Sequence, residues 1–305
     1  MEARRAVRRI AVVIAVYLAV SVALGIFIAE ATLHPGRRSV SSGDLVHAHD
    51  LATSLRAELS DATVTVNDGT SLRGWLLRPQ QPNGDAVILL HGLSDNRLGM
   101  IGYAELLLRD NYTVLMIDAR AHGQSEGLLA TYGILESSDV HSWYEWLHDT
   151  QHPRCIFGFG ESMGAAQLLQ SVRESRFCSI AVESPFSNFR EIGYDRVGQF
   201  FHTGPWLGRT ILRPVIDFAF VYARWKYNLD MESISPERAI VGASMPIFLI
   251  HGREDRNIPF RHAQRIIARN PHVVLWEVPN TDHCGAISTH PEEFAMRLLT
   301  FFHSP

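Results

Sequence analysis

The regular alternation of short apolar runs with helix-like segments constrains the fold of this chain more than any other feature. Runs of this kind predict strands that are buried on both faces, as in parallel sheets. They occupy residues 86–91, 113–118, 155–160, 178–184, 246–252 and 273–278. Helix-like patterns separate them at residues 98–109, 135–147, 163–174, 261–268 and 291–302. The alternation therefore predicts a doubly wound α/β fold.

Two further strands precede this series. Residues 62–66 and 72–78 flank Asn67, Asp68 and Gly69, a typical hairpin turn. The complete prediction is a mostly parallel sheet of eight strands with helices on both faces. Residues 186–240 interrupt the rhythm between two strands, and we interpret them as an insertion into the same domain.

The N-terminus differs in kind from the rest of the chain. Four arginines (Arg4, Arg5, Arg8 and Arg9) precede residues 10–29, which contain no charged side chain. An apolar helix of about 20 residues spans roughly 30 Å, the thickness of the bilayer hydrocarbon. We predict a single-pass transmembrane signal anchor with a cytoplasmic N-terminus and an extracytoplasmic domain.

A cleaved signal peptide is the alternative interpretation of the same segment. Residues 29–31 (Ala-Glu-Ala) resemble a cleavage site, and cleavage there would start a secreted chain near Thr32. The apolar run is longer than that of a usual signal peptide, which favours the anchor.

The predicted organisation is a basic flank at 1–9, the anchor at 10–29, a linker and lead-in at 30–60 and the main domain at 61–305.

Composition limits the classes of partner that the chain can bind. The formal net charge of −4 argues against a nucleic-acid partner. The 3 cysteines give no disulfide framework and no zinc-site spacing, so we expect free or buried thiols.

The most specific motif is Gly-Glu-Ser-Met-Gly at residues 160–164. It follows a predicted strand directly and precedes a predicted helix, which is the context of the sharp turn that exposes a nucleophilic serine. We predict that Ser162 is that nucleophile, with a helix N-cap as the alternative role. Glycine at either end of the motif leaves room for close backbone contacts.

A serine nucleophile needs a base, and the base needs an orienting acid. In this context the expected chain order is serine, acid, histidine. Asp255 follows the strand at 246–252, and we choose it over the neighbouring Glu254. His283 follows the last strand and is the predicted base. We expect Cys284 beside it to be structural, because it lacks the sharp turn.

Attack on a carbonyl carbon places negative charge on oxygen, which fixed backbone N–H groups must stabilise. One donor should be the amide after the nucleophile, that of Met163. The other should lie in the loop after the strand at 86–91, where we choose the amide of Leu93.

Together the motifs at 91–96, 118–127, 158–164, 251–259 and 281–284 resemble the α/β-hydrolase superfamily. Within it they are similar to the Bem46-like and prolyl-oligopeptidase-related serine hydrolases. The resemblance implies a helical cap at about 186–240 and no cofactor or metal. It also implies that Asp118, Arg120 and His122 brace a loop, although Ala121 stands where glycine is commoner.

The resulting functional prediction is a membrane-anchored serine hydrolase that cleaves carboxylic esters or related acyl substrates through an acyl-enzyme. The predicted partners are an apolar small-molecule acyl substrate and, through the N-terminal helix, the membrane. Aromatic residues of the insertion either pack the cap or line an acyl pocket. A serine peptidase, an acyltransferase and an inactive anchored binding protein remain as alternatives.

Overall fold

The computed structural model describes residues 2–303, which form two compact units. One unit combines residues 35–187 with residues 234–303, and the other combines residues 2–34 with residues 188–233. Met1 of the predicted basic flank and Ser304 and Pro305 of the predicted main domain lie outside the described residues.

The larger unit is built on an 8-stranded sheet in the order β1-β2-β4-β3-β5-β6-β7-β8. Antiparallel pairs join β1 to β2 and β2 to β4, and the remaining pairs are parallel. The predicted α/β fold is therefore confirmed. The strands are β1 (Ala57–Thr65), β2 (Ser71–Pro79), β3 (Ala86–Leu90), β4 (Thr113–Ile117), β5 (Ile156–Glu161), β6 (Ile180–Glu183), β7 (Ile247–Gly252) and β8 (Val273–Val278).

The helices connect these strands and form most of the smaller unit. In chain order they are α1 (Glu2–Leu33), α2 (Ser42–Ser54), α3 (Ile101–Arg109), α4 (Glu136–Gln151), α5 (Ser162–Ser171), α6 (Phe189–Phe201), α7 (Trp206–Arg209), α8 (Arg213–Tyr227), α9 (Pro236–Ala239), α10 (Arg261–Ile267), α11 (Ala286–Thr289) and α12 (Pro291–His303). Short 3₁₀ helices cover Arg97–Met100 and Met231–Ser233.

Side chains of each central strand enter two different cores, because successive residues of a strand point to opposite faces. In β3, Val87 and Leu89 pack with Leu107 of α3 and Phe294 of α12. Ile88 points the other way and packs in the cluster on the α4 and α5 side. The sheet is therefore covered on both faces, as the apolar runs predict.

Two expectations about the edges of this unit need correction. Residues 30–60 are not only a linker, since Ser41 caps α2 through a reciprocal bond with Asp44 and β1 begins at Ala57. The last strand is not buried on both faces, because β8 pairs only with β7 at the sheet edge. Val274 is accordingly 54% exposed.

Cys155 and Cys178 form a disulfide, so the expectation of free thiols is wrong for this pair. Cys155 directly precedes β5, and Cys178 lies shortly before the neighbouring strand β6. The two cysteines meet because these strands are parallel and adjacent. Cys284 is the remaining cysteine of the chain and is free.

The smaller unit contains α1, α6, α7 and α8. Within residues 2–303, α1 is the one helix long and apolar enough to cross a membrane. The buried positions of α1 are Ser21, Gly25, Ala29 and Leu33, a single stripe at four-residue spacing. Gly25 lies against the backbone of α8.

One carboxylate joins the ends of these two helices. Glu30 accepts hydrogen bonds from Tyr222 (2.6 Å), Lys226 (2.7 Å) and Tyr227 (2.8 Å). The first half of α1 leaves large apolar side chains exposed, among them Val13 and Ile14.

Candidate active site

Ser162 lies on a sharp turn between β5 and α5. Its φ of 51° is in the left-handed region, which a serine adopts only when the surrounding structure imposes it. A Cβ on Gly160 would lie 2.7 Å from the backbone of Gly164, and one on Gly164 would lie 2.4 Å from Leu90 O. Only glycine therefore fits at these two positions.

The turn stands at the point where the strand order of the sheet reverses. β3 pairs with β4 on one side and with β5 on the other, so the loops after β3 and β5 diverge there. Ligands of open α/β sheets bind at such points, beyond the carboxyl ends of the strands. Ser162 is consequently placed where a substrate can reach it.

Asp255 lies in the loop after β7 and is buried. Its Oδ1 accepts hydrogen bonds from the backbone N–H groups of Asn257 (2.9 Å) and Ile258 (2.8 Å). Burial opposes ionisation of this carboxyl, but the hydrogen bond and charge of His283 and the Ile258 amide outweigh it, so its pKa lies below the ordinary value. Asp255 is thus an ionised acceptor.

His283 lies in the loop after β8 and joins the other two residues. Its Nδ1 lies 2.8 Å from Asp255 Oδ2, and its Nε2 lies 2.9 Å from Ser162 Oγ. Because an ionised carboxylate can only accept, Nδ1 carries the proton and Nε2 is free to accept from the serine hydroxyl. The structure brings together the three residues that the sequence singled out.

Glu254, the alternative acid, is exposed, and the hydrogen bond to His283 is formed by Asp255 instead. Its Oε2 accepts a hydrogen bond of 2.9 Å from the backbone N–H of Thr281. It therefore ties the loop after β7 to the loop that carries His283.

Of the two predicted oxyanion donors, one directly follows the serine in the chain and the other lies in the loop after β3. Met163 is in the first turn of α5 and is buried. Leu93 is in the loop after β3, and a Cβ placed on its neighbour Gly92 would lie 3.7 Å from Ser162 Cβ. The loop after β3 therefore adjoins the nucleophile, and the assignment of the two amides stays a prediction.

Two buried histidines next to the site were not identified from the sequence. His91 Nε2 accepts from Ala119 N at 3.1 Å, and its Nδ1 lies 2.7 Å from Gly92 O. His251 Nε2 lies 2.8 Å from Ile258 O, and burial lowers its pKa to about 4. Both are neutral and hold loops of the site. His91-Gly92 directly follows β3, and His251-Gly252 ends β7. This repeated His-Gly pair is the signal that could have indicated both histidines.

A second unrecognised feature is a cluster of Tyr103, Glu161 and Glu183, which we term the acid–tyrosine cluster. Tyr103 Oη lies 3.2 Å from Glu161 Oε2 and 3.1 Å from Glu183 Oε2. Burial is the largest influence on both carboxyls, and it raises the pKa of each to about 7. No sequence motif points to Glu183, since its position depends on the pairing of β5 with β6.

The predicted brace is present in the larger unit. Asp118 accepts hydrogen bonds from Arg97 N and Gln124 N at 2.7 Å each. Arg120 forms two bonds with Asp139, of 2.9 and 2.7 Å. The left-handed Ala121 has a φ of 60°, a conformation for which glycine is the usual residue.

Cys284, next to His283, is not an activated thiol. Burial raises its pKa well above the ordinary value, and the nearby carboxylates act in the same direction. Among residues 2–303, no group of three or more His, Cys, Asp or Glu side chains is placed to hold a metal ion.

Three comparisons place this architecture among known proteins. The model of the alpha/beta hydrolase family matches residues 87–297. The uncharacterized protein YqkD of Bacillus subtilis is 28% identical over 242 residues, which cover 76% of this chain and 75% of that protein. The uncharacterized protein YfhR of Escherichia coli O157:H7 is 26% identical over 252 residues, 79% of each chain.

Solved structures have the same fold. The esterase Pf2001 of Pyrococcus furiosus aligns with a TM-score of 0.68 and 26% sequence identity, over 89% of this chain and 97% of its own. The structural alignment with this esterase therefore covers most of the fold and is not confined to the turn that carries Ser162.

Proposed function

The chain belongs to the alpha/beta hydrolase family and is a hydrolase, and from that premise we propose that it cleaves carboxylic esters with Ser162 as the nucleophile. The observation that carries this proposal is the continuous hydrogen-bonded path from Ser162 through His283 to Asp255. The similarity to the Pyrococcus furiosus esterase supports an ester as the substrate class.

In the proposed reaction, His283 Nε2 removes the hydroxyl proton while Ser162 Oγ attacks the acyl carbon. Asp255 keeps the imidazole in the required tautomer and stabilises the imidazolium. The amides of Leu93 and Met163 donate to the oxyanion, and each such donor typically contributes about 3 kcal/mol in the transition state. His283 then protonates the leaving alcohol, and water repeats the sequence to release the acid.

A labelling experiment tests the nucleophile. A fluorophosphonate probe should label the wild-type chain and the Ser288→Ala control, because Ser288 is exposed and outside the triad. Ser162→Ala should remain unlabelled while keeping its fold by circular dichroism. Labelling of Ser162→Ala at the wild-type rate would refute the assignment, and a folded but unlabelled wild type would favour a binding protein.

The substrate class needs its own assay. We expect turnover of p-nitrophenyl esters and slower turnover of the corresponding aminoacyl amides. Amides turned over faster than esters would instead identify a peptidase, and acyl transfer to an added alcohol in preference to water would identify an acyltransferase.

We also propose that α1 is a retained membrane anchor and that the catalytic domain is extracytoplasmic. The arginines before residue 10 favour a cytoplasmic N-terminus. The Cys155–Cys178 disulfide supports an oxidising compartment for the domain. Retention is supported by Glu30, which lies inside the alternative cleavage site and is bonded to Tyr222, Lys226 and Tyr227 of the same unit.

The anchor proposal is tested on the native membrane fraction. N-terminal sequencing should find the first residues of the chain in carbonate-washed membranes. A maleimide reagent that cannot cross the membrane should label Cys155 and Cys178 only after reduction of intact cells. A mature chain that begins near Thr32 would refute retention, and labelling that requires cell lysis would refute the orientation.

A further inference from the structure

The acid–tyrosine cluster lies directly behind the nucleophile, where the ends of β5 and β6 meet. Glu161 and Glu183 are paired in register across these parallel strands, and Glu161 precedes Ser162 in the chain. Tyr103 of α3 reaches both carboxyls with its single hydroxyl. Tyr103 and Glu183 are buried, with exposures of 3% and 1%.

The number of protons in this arrangement follows from the geometry. A phenol has one hydrogen and can donate it to one carboxylate only. A second hydrogen, supplied by one of the two carboxyls, would pair both contacts of 3.1 and 3.2 Å more strongly than one phenol hydrogen shared between two carboxylates. Without it, a carboxylate oxygen and the phenol oxygen would face each other as unpaired acceptors in a buried site.

The outer oxygens of the cluster hold two loops of the candidate active site. Glu183 Oε1 accepts the backbone N–H of Ala286 at 2.9 Å, shortly after His283 in the same loop. Glu161 Oε1 lies next to Gly92, since a Cβ added to Gly92 would be 3.4 Å from that oxygen, and Gly92 is the neighbour of the predicted oxyanion donor Leu93. The cluster thus connects the histidine loop, the serine turn and the loop after β3.

Other titratable groups face the cluster and affect its charge. Asp95 and His283 act on Glu161, and Asp255 acts on Glu183. The Cys284 thiol faces both carboxyls. Asp95 and Asp255 favour the protonated form of the cluster, because each places further negative charge near it, whereas a cationic His283 opposes it.

We propose that Tyr103, Glu161 and Glu183 are positioning residues that share one carboxylic acid proton, and that this proton holds the histidine and oxyanion loops in the reactive arrangement. The inference rests on the proposed function, because it assigns the cluster a role in the Ser162 reaction.

The proposal predicts an alkaline loss of activity. Since burial raises the pKa of both carboxyls to about 7, the shared proton leaves as the pH rises above that value. Two carboxylates then share one phenol hydrogen, their repulsion separates them, and the two loops lose their common support. The rate should therefore decline on the alkaline side of neutrality.

Glu183→Gln is the decisive variant. Its side-chain oxygen can still accept the Ala286 N–H, and its NH₂ group supplies a hydrogen to Tyr103 Oη that cannot ionise. We expect kcat for a p-nitrophenyl ester within about threefold of wild type at pH 6.5, and an alkaline limb moved upward by at least about one pH unit. Tyr103→Phe should lower kcat about tenfold with little change in KM.

The matched control is Glu105→Gln, which removes a carboxylate of α3 that pairs with Arg109 at the surface. Its pH profile should coincide with that of wild type. Coincident profiles of wild type and Glu183→Gln would overturn the proposal, because a purely structural role does not move the alkaline limb.

Infrared titration separates this inference from the proposed function, because it needs no turnover. In Ser162→Ala, the carbonyl band of a protonated carboxyl should persist near pH 6 and disappear when Glu183→Gln is added. If that difference is seen in a protein that hydrolyses no ester, the proposed function fails and the shared proton stands. If no difference is seen in an active enzyme, the shared proton is refuted.

Discussion

The unit that contains the candidate active site and the unit that contains α1 use their side chains in opposite ways. The larger unit buries its apolar residues in two cores and holds its polar site by short, directional hydrogen bonds. The smaller unit exposes many large apolar side chains, including those of α1 and also Trp206 and Trp225. The proposed catalysis in the first unit depends on precise placement of side chains, whereas the proposed membrane anchoring by the second depends on apolar area and charge.

If both proposals hold, ester hydrolysis and membrane anchoring should be lost separately. Substitutions in the site should affect turnover and leave membrane association intact. Substitutions in the apolar helix α1 should weaken membrane association and leave turnover unchanged. The tests below run from the largest expected effect to the smallest.

The largest effect is expected from removal of the base. His283→Ala should lower kcat by about 10⁶-fold, since the serine then has no acceptor for its proton. Its membrane-bound fraction and thermal midpoint should match those of wild type. His272→Ala, an exposed histidine outside the site, is the control and should keep full activity in an ester assay. Residual turnover within tenfold of wild type would contradict the triad.

Gly164→Ala tests the close packing of the serine turn. The added Cβ would lie 2.4 Å from Leu90 O, so β3 and α5 must move apart. We expect a loss of about 3 kcal/mol in the free energy of unfolding, measured by urea denaturation, together with lower activity. Gly102→Ala in α3 is the control, because its Cβ would meet Ile287 at 4.0 Å and helix propensity favours alanine. Equal stability of the two variants would show that the turn is not tightly packed.

Val20→Arg tests the smaller unit, because Val20 is exposed and lies at the middle of residues 10–29. An arginine near the centre of a membrane span costs about 3 kcal/mol of insertion free energy, so the membrane-bound fraction in a flotation assay should fall. Ester turnover per molecule should not change. Val46→Arg, at a similarly exposed position of α2, should leave flotation unaffected. Unchanged flotation of Val20→Arg would argue that α1 does not span the bilayer.

The smallest effect concerns the pH dependence of stability. The pKa of Glu183 is raised to about 7 in the folded chain, so the unfolded chain loses this proton first as the pH rises. Glu183 therefore opposes folding increasingly between pH 4.5 and 7. Relative to wild type, Glu183→Gln should gain on the order of 1–3 kcal/mol between pH 5 and 8, measured by urea unfolding. A constant difference between the two chains over that range would contradict the raised pKa.

The parts of the molecule that the sequence predicts are those set by local pattern. Apolar runs locate the strands, because burial on both faces requires them, and the glycines at 160 and 164 indicate the turn at Ser162. Asp255 and His283 were chosen because each follows a predicted strand in the expected chain order. The structure places both side chains in one hydrogen-bonded path with Ser162.

The features that escaped prediction depend on which strands become neighbours. The Cys155–Cys178 disulfide and the contact of Glu161 with Glu183 through Tyr103 both follow from the pairing of β5 with β6. The exposed face of β8 follows from its edge position. Helix α2 was missed because its apolar stripe is short and many of its residues are polar.

The place of the disulfide in the sheet has a practical consequence. It joins the starts of β5 and β6, whereas Ser162 follows the end of β5, about 20 Å away at 3.3 Å per strand residue. The cross-link thus fastens the far end of the strands and does not touch the reacting groups. Protein prepared in a reducing host should be obtained in lower yield and should be degraded faster by proteases. The kcat per folded molecule should nevertheless equal that of the disulfide-bonded protein.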